Sequence, residues 1–218
     1  MPATESQGAA TATKIPDTPG SRRVLEAAIA AFAQAGYEGA SLRRIAGAAE
    51  VDAALIVHVF GSKARLWQAC VDTVADRLIS ALDGARFRPG GSLVEAVECL
   101  LDIFCAHPAS AQFILSEIVR QDERFDYVFA RLVEPIHELM RAGMAGDGAL
   151  TPRDEIRLLA LSGAITTTVV SRQFMVRKGL LSADLDMFRE ELRHAVGSLL
   201  QSPGGAEPCG SGKQANNN

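Results

Sequence analysis

Apolar residues recur at three- and four-residue steps almost from one end of the chain to the other, and the strict alternation that marks half-buried strands is nearly absent. A chain patterned this way buries its apolar surface by packing helix on helix, so the expected fold is all-α. At 218 residues, 48% of them hydrophobic, it is long enough to build a sizeable core. The first helix is expected over about 21–35, with Ser21 as its cap, one apolar stripe of Val24, Leu25, Ala28, Ile29 and Phe32, and Gly36 at its end.

Ser41 should start a second, short helix with Leu42, Ile45 and Ala46 inward, and Asp52 should cap a third after a four-residue turn. Gly61 and Ser62 break the chain, and Lys63 begins a long helix carrying Leu66, Trp67, Cys70, Val71, Val74 and Leu78. Further helices are expected at about 92–106, with Leu93, Val97, Leu100, Leu101 and Phe104 inward, and at 108–120. A longer one at about 122–143 has a stripe of Phe125, Val128, Phe129, Leu132, Ile136 and Leu139, and Pro135 should bend it. The segment 153–178 is apolar on more than one side and dotted with Ala160, Gly163, Ala164, Thr167 and Ser171, so it must be covered on two faces. A last helix at about 183–201 shows Leu185, Phe188, Leu192, Val196 and Leu199. The polar ends read as a disordered arm (1–20) and tail (202–218), around a small domain at 21–67 and a larger one at 68–201.

The formal charge of -4 argues against a protein that coats nucleic acid by bulk charge. The balance is uneven, however. Residues 1–67 hold seven Lys and Arg against six Asp and Glu, and the remainder holds fifteen against twenty, so a polyanion should meet the N-terminal end. Cys70, Cys99, Cys105 and Cys209 form no CxxC pair, which fits a reduced, cytoplasmic setting better than a redox sensor. No secretory signal or membrane-spanning stretch is seen. Metal-ligand spacings, a Ser/His/Asp elbow and a phosphate loop are all missing, so neither catalysis, a metal nor a cofactor is expected.

The stretch "SLRRIAGAAEVDAALIVHVFGSK" (41–63) reads as two short helices around a sharp turn, a helix-turn-helix whose second helix enters the major groove. Ser41 at a helix N-terminus and Lys63 are natural phosphate contacts, and Arg43 and Arg44 lie off the inward face. The reading helix is poor in hydrogen-bonding groups. Ala53, Ala54 and Val57 can meet thymine methyls, His58 can donate to guanine or a phosphate, and DNA shape must supply the rest. Through "VLEAAIAAFAQAGYEGASLRRIAGAAEVDAALIVHVFGSKARL" (24–66), with "FGSK" then a Leu among its more specific marks, the chain resembles the TetR family of bacterial transcriptional regulators. Members usually carry a phosphate-contacting Tyr where this chain has Val57, and often His where it has Val59.

That resemblance implies a helix-turn-helix domain joined by a long helix to a larger ligand-binding and dimerisation domain, in a dimeric repressor released from double-stranded operator DNA by a small molecule. Candidate effector contacts are the polar and aromatic groups inside the apolar helices: Phe104, His107, Phe113, Glu117, Phe129 and Thr166. Each has a bland alternative as core, helix end or solvated charge, with Glu117 able to pair with Arg120 or Arg124. The homodimer interface is expected from the helices at 153–178 and 183–201. The competing reading is an all-helical small-molecule-binding or interaction module whose degenerate helix-turn-helix no longer grips DNA.

Overall fold

The computed structural model describes residues 16–83, 93–120, 122–144 and 151–201; the expected arm through residue 15, the tail from 202 and Cys209 lie outside them. Within the described residues every regular element is helical. Helix α1 spans Pro19–Gly39 and starts two residues before the expected Ser21. Thr18 is the cap: its hydroxyl accepts from Ser21 N at 3.1 Å, and Ser21 Oγ accepts from Thr18 N at 2.9 Å. Pro19 takes the first-turn position, where its missing N–H is not needed, so Ser21 becomes the reciprocal half of a capping box rather than the cap. Helix α1 also runs past Gly36, which adopts φ 67° and kinks the chain before the final turn.

Helices α2 (Leu42–Ala48) and α3 (Ala53–Phe60) follow, capped by Ser41 and Asp52 as their positions implied. Helix α4 (Lys63–Asp83) crosses the expected domain boundary at residue 67 without interruption, its buried face running from Leu66 and Trp67 to Leu78 and Leu82. Helices α5 (Leu93–Ala106) and α6 (Pro108–Ile118) meet at 106° about His107. The side chain of Leu93 lies outside the described residues.

The expected single helix at 122–143 is three pieces: α7 (Glu123–Val128), a π-helical segment (Phe129–Val133) and α8 (Glu134–Met144). Pro135 explains the interruption. It lacks the N–H that would bond the Arg131 carbonyl and its ring crowds that group, and the widened turn, in which Glu134 N donates to Phe129 O, absorbs both defects. The register shift turns Phe129 outward, so it leaves the expected stripe and stands 44% exposed against Phe125. Helix α9 (Pro152–Arg177) has a capping box of Thr151 and Asp154, and α10 (Leu185–Gln201) closes the bundle.

One continuous core joins these elements. Helix α1 packs on α6 and α4, α9 lies against α5 and α6, and α10 against α5. Helix α9 buries Leu158, Leu161, Ile165 and Val169 while its other side carries Ile156 and Leu159 at 69% and 75% exposure, with Phe174 exposed further along. In α10, Phe188, Leu192 and Val196 are buried, whereas Leu185 and Leu199 are not. Phe32 is fully enclosed at the join between α1 and α6. Phe32→Ala is expected to lower the unfolding free energy by about 3–5 kcal/mol, read from urea denaturation, because it removes a ring and leaves a cavity.

Candidate nucleic-acid interface

Three short elements set the face. Ser41 holds extended backbone angles and its Oγ accepts from Arg44 N at 3.3 Å, so α2 begins where Arg43 and Arg44 project to solvent. Asp52 accepts from Ala54 N at 2.7 Å and starts α3, which Ile56 and Phe60 anchor in the core. The chain then stops at Gly61, whose φ of 79° suits glycine and whose N–H caps the Val57 carbonyl at 2.9 Å. Ser62 restarts it by accepting from Arg65 N at 3.2 Å, and Lys63 opens α4.

With Ile56 and Phe60 turned inward, α3 presents Ala54, Leu55, Val57 and His58 to solvent, Val57 being 51% exposed. Ala53 is half-buried against the core. Leu55 was not among the sequence candidates, yet it is exposed beside the start of α1, where a Cβ at Gly20 would stand 3.9 Å from its Cδ2. Arg65 was missed too, because a lone Arg in the first turn of a long helix carries no motif; its side chain lies over Gly61, and it is exposed.

Among the described residues the guanidinium groups of Arg43, Arg44 and Arg65 have neither a hydrogen bond nor an ion pair. The body differs. Arg131 is held by Asp72 at 2.8 Å and Asp76 at 3.1 Å, and Arg189 by Asp102. Arg120 and Arg124 both take Asp122 at 2.9 Å, and their hydrogen bonds hold its carboxyl down to about 2. Unmatched cations therefore stand around α2, α3 and the start of α4. A groove of about 1020 Å³ opens behind that face between α1 and α2, lined among others by Arg22, Arg23, Glu26, Ser41 and Arg44.

The six effector candidates do not converge. Phe104 is buried in α5, and Thr166 in α9 spends its hydroxyl on the Ser162 carbonyl at 2.6 Å. His107 sits at the α5–α6 corner, half-buried, with no side-chain capping bond, and Phe129 is turned outward by the π segment. Phe113 and Glu117 lie together in α6 where it meets α1 and α4. Phe113 stands 6.4 Å from both Phe32 and Trp67, and Trp67 meets Tyr37 edge-on and Tyr127 at a tilt.

Glu117 is neither solvated nor paired with Arg120 or Arg124, the two readings its sequence suggested; it is 1% exposed. The Trp67 indole faces its carboxyl without closing a well-formed hydrogen bond, leaving Nε1 and Oε2 without partners. Burial pushes the carboxyl up from its ordinary range, only partly opposed by the charges of Arg120 and Arg124. Burial likewise pushes the Cys70 and Cys105 thiols up, which keeps them unreactive. No group of three His, Cys, Asp or Glu among the described residues is placed to hold a metal, and no single helix there is long and apolar enough to cross a membrane.

In class, then, the molecule is a helix-turn-helix domain carried on a helical body. Residues 24–70 match the model of the family described as bacterial regulatory proteins, tetR family, so over that stretch the chain is similar to that family. It is 51% identical over 59 residues to the HTH-type transcriptional regulatory protein RaaS of Mycobacterium tuberculosis, a match spanning 27% of each chain. It is 24% identical over 182 residues to the HTH-type transcriptional repressor SCO4008 of Streptomyces coelicolor, covering 80% of this chain and 91% of that one. A crystal structure of a TetR-like transcriptional regulator from Rhodococcus sp. RHA1 has the same fold, with a TM-score of 0.55 and 24% identity over 87% of this chain and all of that one.

A carboxyl raised in the folded state favours folding below its unfolded value, near 4.3, and opposes it as pH climbs towards the folded value. Glu117→Gln is therefore expected to raise stability at pH 7 and to lose that advantage near pH 4, compared by urea midpoints at the two pH values. A Gln variant less stable than wild type at pH 7 would show that the charged carboxylate is needed there.

Proposed function

We propose that the chain is a dimeric transcriptional regulator that grips operator DNA through α2, α3 and the start of α4 and is released from it by a small molecule. The observation that carries this reading is the clustering of unmatched cations on that face, Arg43, Arg44 and Arg65, where most of the other described arginines have acidic partners. Ser41 and Lys63 join them as phosphate contacts, Ala54, Leu55 and Val57 offer apolar contact to thymine methyls, and His58 is the polar reader. The repressor sense is carried over from SCO4008, the relative aligned over most of the chain.

The exposed apolar side of α9, with Ile156 and Leu159, and the exposed Leu185 and Leu199 of α10 support a homodimer built from these two helices. Two copies would then present two α3 helices to successive half-sites. Release by a ligand requires that it bind better to the body when the two helices are wrongly spaced, and by reciprocity DNA then weakens that ligand equally. Buried groups left without partners, Glu117 foremost, are where such a ligand has most to gain.

Lys63→Ala is expected to weaken binding to a duplex from the protein's own upstream region about equally for all sequences and to flatten its salt slope by about one phosphate's worth. Val57→Tyr should raise affinity without changing preference. Band shifts at low ionic strength read both. A wild-type chain that forms no salt-sensitive complex would favour the rival reading, a binding module that has lost DNA. Leu159→Asp is expected to convert a dimer to a monomer in sedimentation and to weaken operator binding with it, whereas a wild-type monomer would remove the dimeric model.

A further inference from the structure

Lys63 does not stand alone at the start of α4. Its Nζ lies 4.6 Å from the centre of the Tyr37 ring and donates to the Glu38 carbonyl at 3.3 Å. A second cation shares that ring: Arg124 of α7 places Cζ 4.4 Å from its centre. The same guanidinium stands 3.6 Å from Glu38 Oε1 and 2.9 Å from Asp122 Oδ2. Tyr37 and Glu38 come just after the kink at Gly36, which turns them out of the α1 helix proper. One turn of chain thus gathers a cation from the DNA-facing helix and a cation from the body around one ring and one carboxylate.

Resting on the DNA-binding reading above, we propose that Arg124 is a positioning residue for DNA binding, which occupies the Glu38 carboxylate and shares the Tyr37 ring so that the Lys63 ammonium stays available to a backbone phosphate. Glu38 already holds Lys63 by its carbonyl, and its side chain is 84% exposed, so a change of rotamer brings carboxylate and ammonium together. With Arg124 in place that carboxylate has another partner. Without it, Glu38 neutralises Lys63 and sets a negative charge where a phosphate must come. The shared ring acts in the same direction, since two cations on one quadrupole repel and neither settles fully on it. Exposed pairs of this kind are individually weak, so the effect is a few-fold rather than an on-off switch. Because Arg124 belongs to the body, a shift of α7 against α1 changes which cation Glu38 holds, and so changes DNA affinity with α3 unmoved.

The test is fluorescence anisotropy of the full chain with a labelled duplex from its own upstream region, over a salt series. Arg124→Gln is expected to weaken binding about three- to fivefold and to flatten the plot of log affinity against log salt by about 0.9, the value of one phosphate contact. Adding Glu38→Gln to Arg124→Gln should restore wild-type affinity, and Arg124→Gln should add nothing to Lys63→Ala. Melting by circular dichroism checks folding, and Arg124→Met, which keeps the stem without the charge, must behave as Arg124→Gln does. The proposal is overturned if Arg124→Gln binds like wild type, if its loss persists with Glu38→Gln, or if it adds fully to Lys63→Ala. Any of these with a wild type that binds removes only the role of Arg124; a wild type that ignores the duplex at low salt removes the DNA-binding reading with it.

Discussion

Phe32 near the end of the buried stripe of α1 meets Phe113 of α6 at 6.4 Å, and Tyr37, Trp67 and Tyr127 close around the pair. The DNA-facing elements depend on this contact. Helices α2 and α3 have seven and eight residues, too short to persist by their own hydrogen bonds. Their geometry is imposed by the helices they lean on: α2 packs on α1, and α3 on α2 and α4. Since α1 and α4 are themselves held by the aromatic cluster, the angle at which α3 leaves the molecule is set partly from within the body.

The cluster also contains a polar fault. A carboxyl and an indole N–H, Glu117 and Trp67, face each other in a buried site without a well-formed bond, and burial favours the neutral acid. Unpartnered buried groups lower stability, so a sequence that keeps two of them at the seam between domains keeps that seam from being as tight as an all-apolar one. A seam of that kind can take up a second arrangement at modest cost, as the proposed coupling between a ligand in the body and DNA at α3 would require.

Element positions were largely legible because periodicity and capping chemistry are local. Residue type and spacing alone locate Ser41, Asp52 and the Gly61–Ser62 break. Where two local rules competed, the reading slipped: Ser21 is a good cap, but Thr18 followed by Pro19 is a better one, and the helix starts there. Pro135 announced a defect but not its form, and only the π segment explains why Phe129 leaves the stripe while Leu132 stays in it. The candidate site was less legible. Arg65 and Leu55 carry no motif, and their exposure depends on which face α3 and α4 bury. Helical periodicity does not place Glu117, since it does not say that a Trp fifty positions earlier will face it.

A reading helix whose exposed groups are Ala54, Leu55, Val57 and His58 can distinguish few base pairs by hydrogen bonds. On the proposed DNA-binding reading most of its affinity would then come from phosphates, which are the same in every sequence. An overall negative protein, on the proposed reading, gains something from that arrangement: unmatched arginines on one face would orient it towards the duplex while the acidic remainder is repelled. Selectivity, on the same proposed reading, has to be recovered elsewhere, and in the proposed dimer the separation of two weak half-sites would supply it, because only DNA with matching turns at that spacing satisfies both copies. A ligand that altered the spacing would therefore act on the strongest source of discrimination the molecule has, and it would do so without touching a single base-reading side chain.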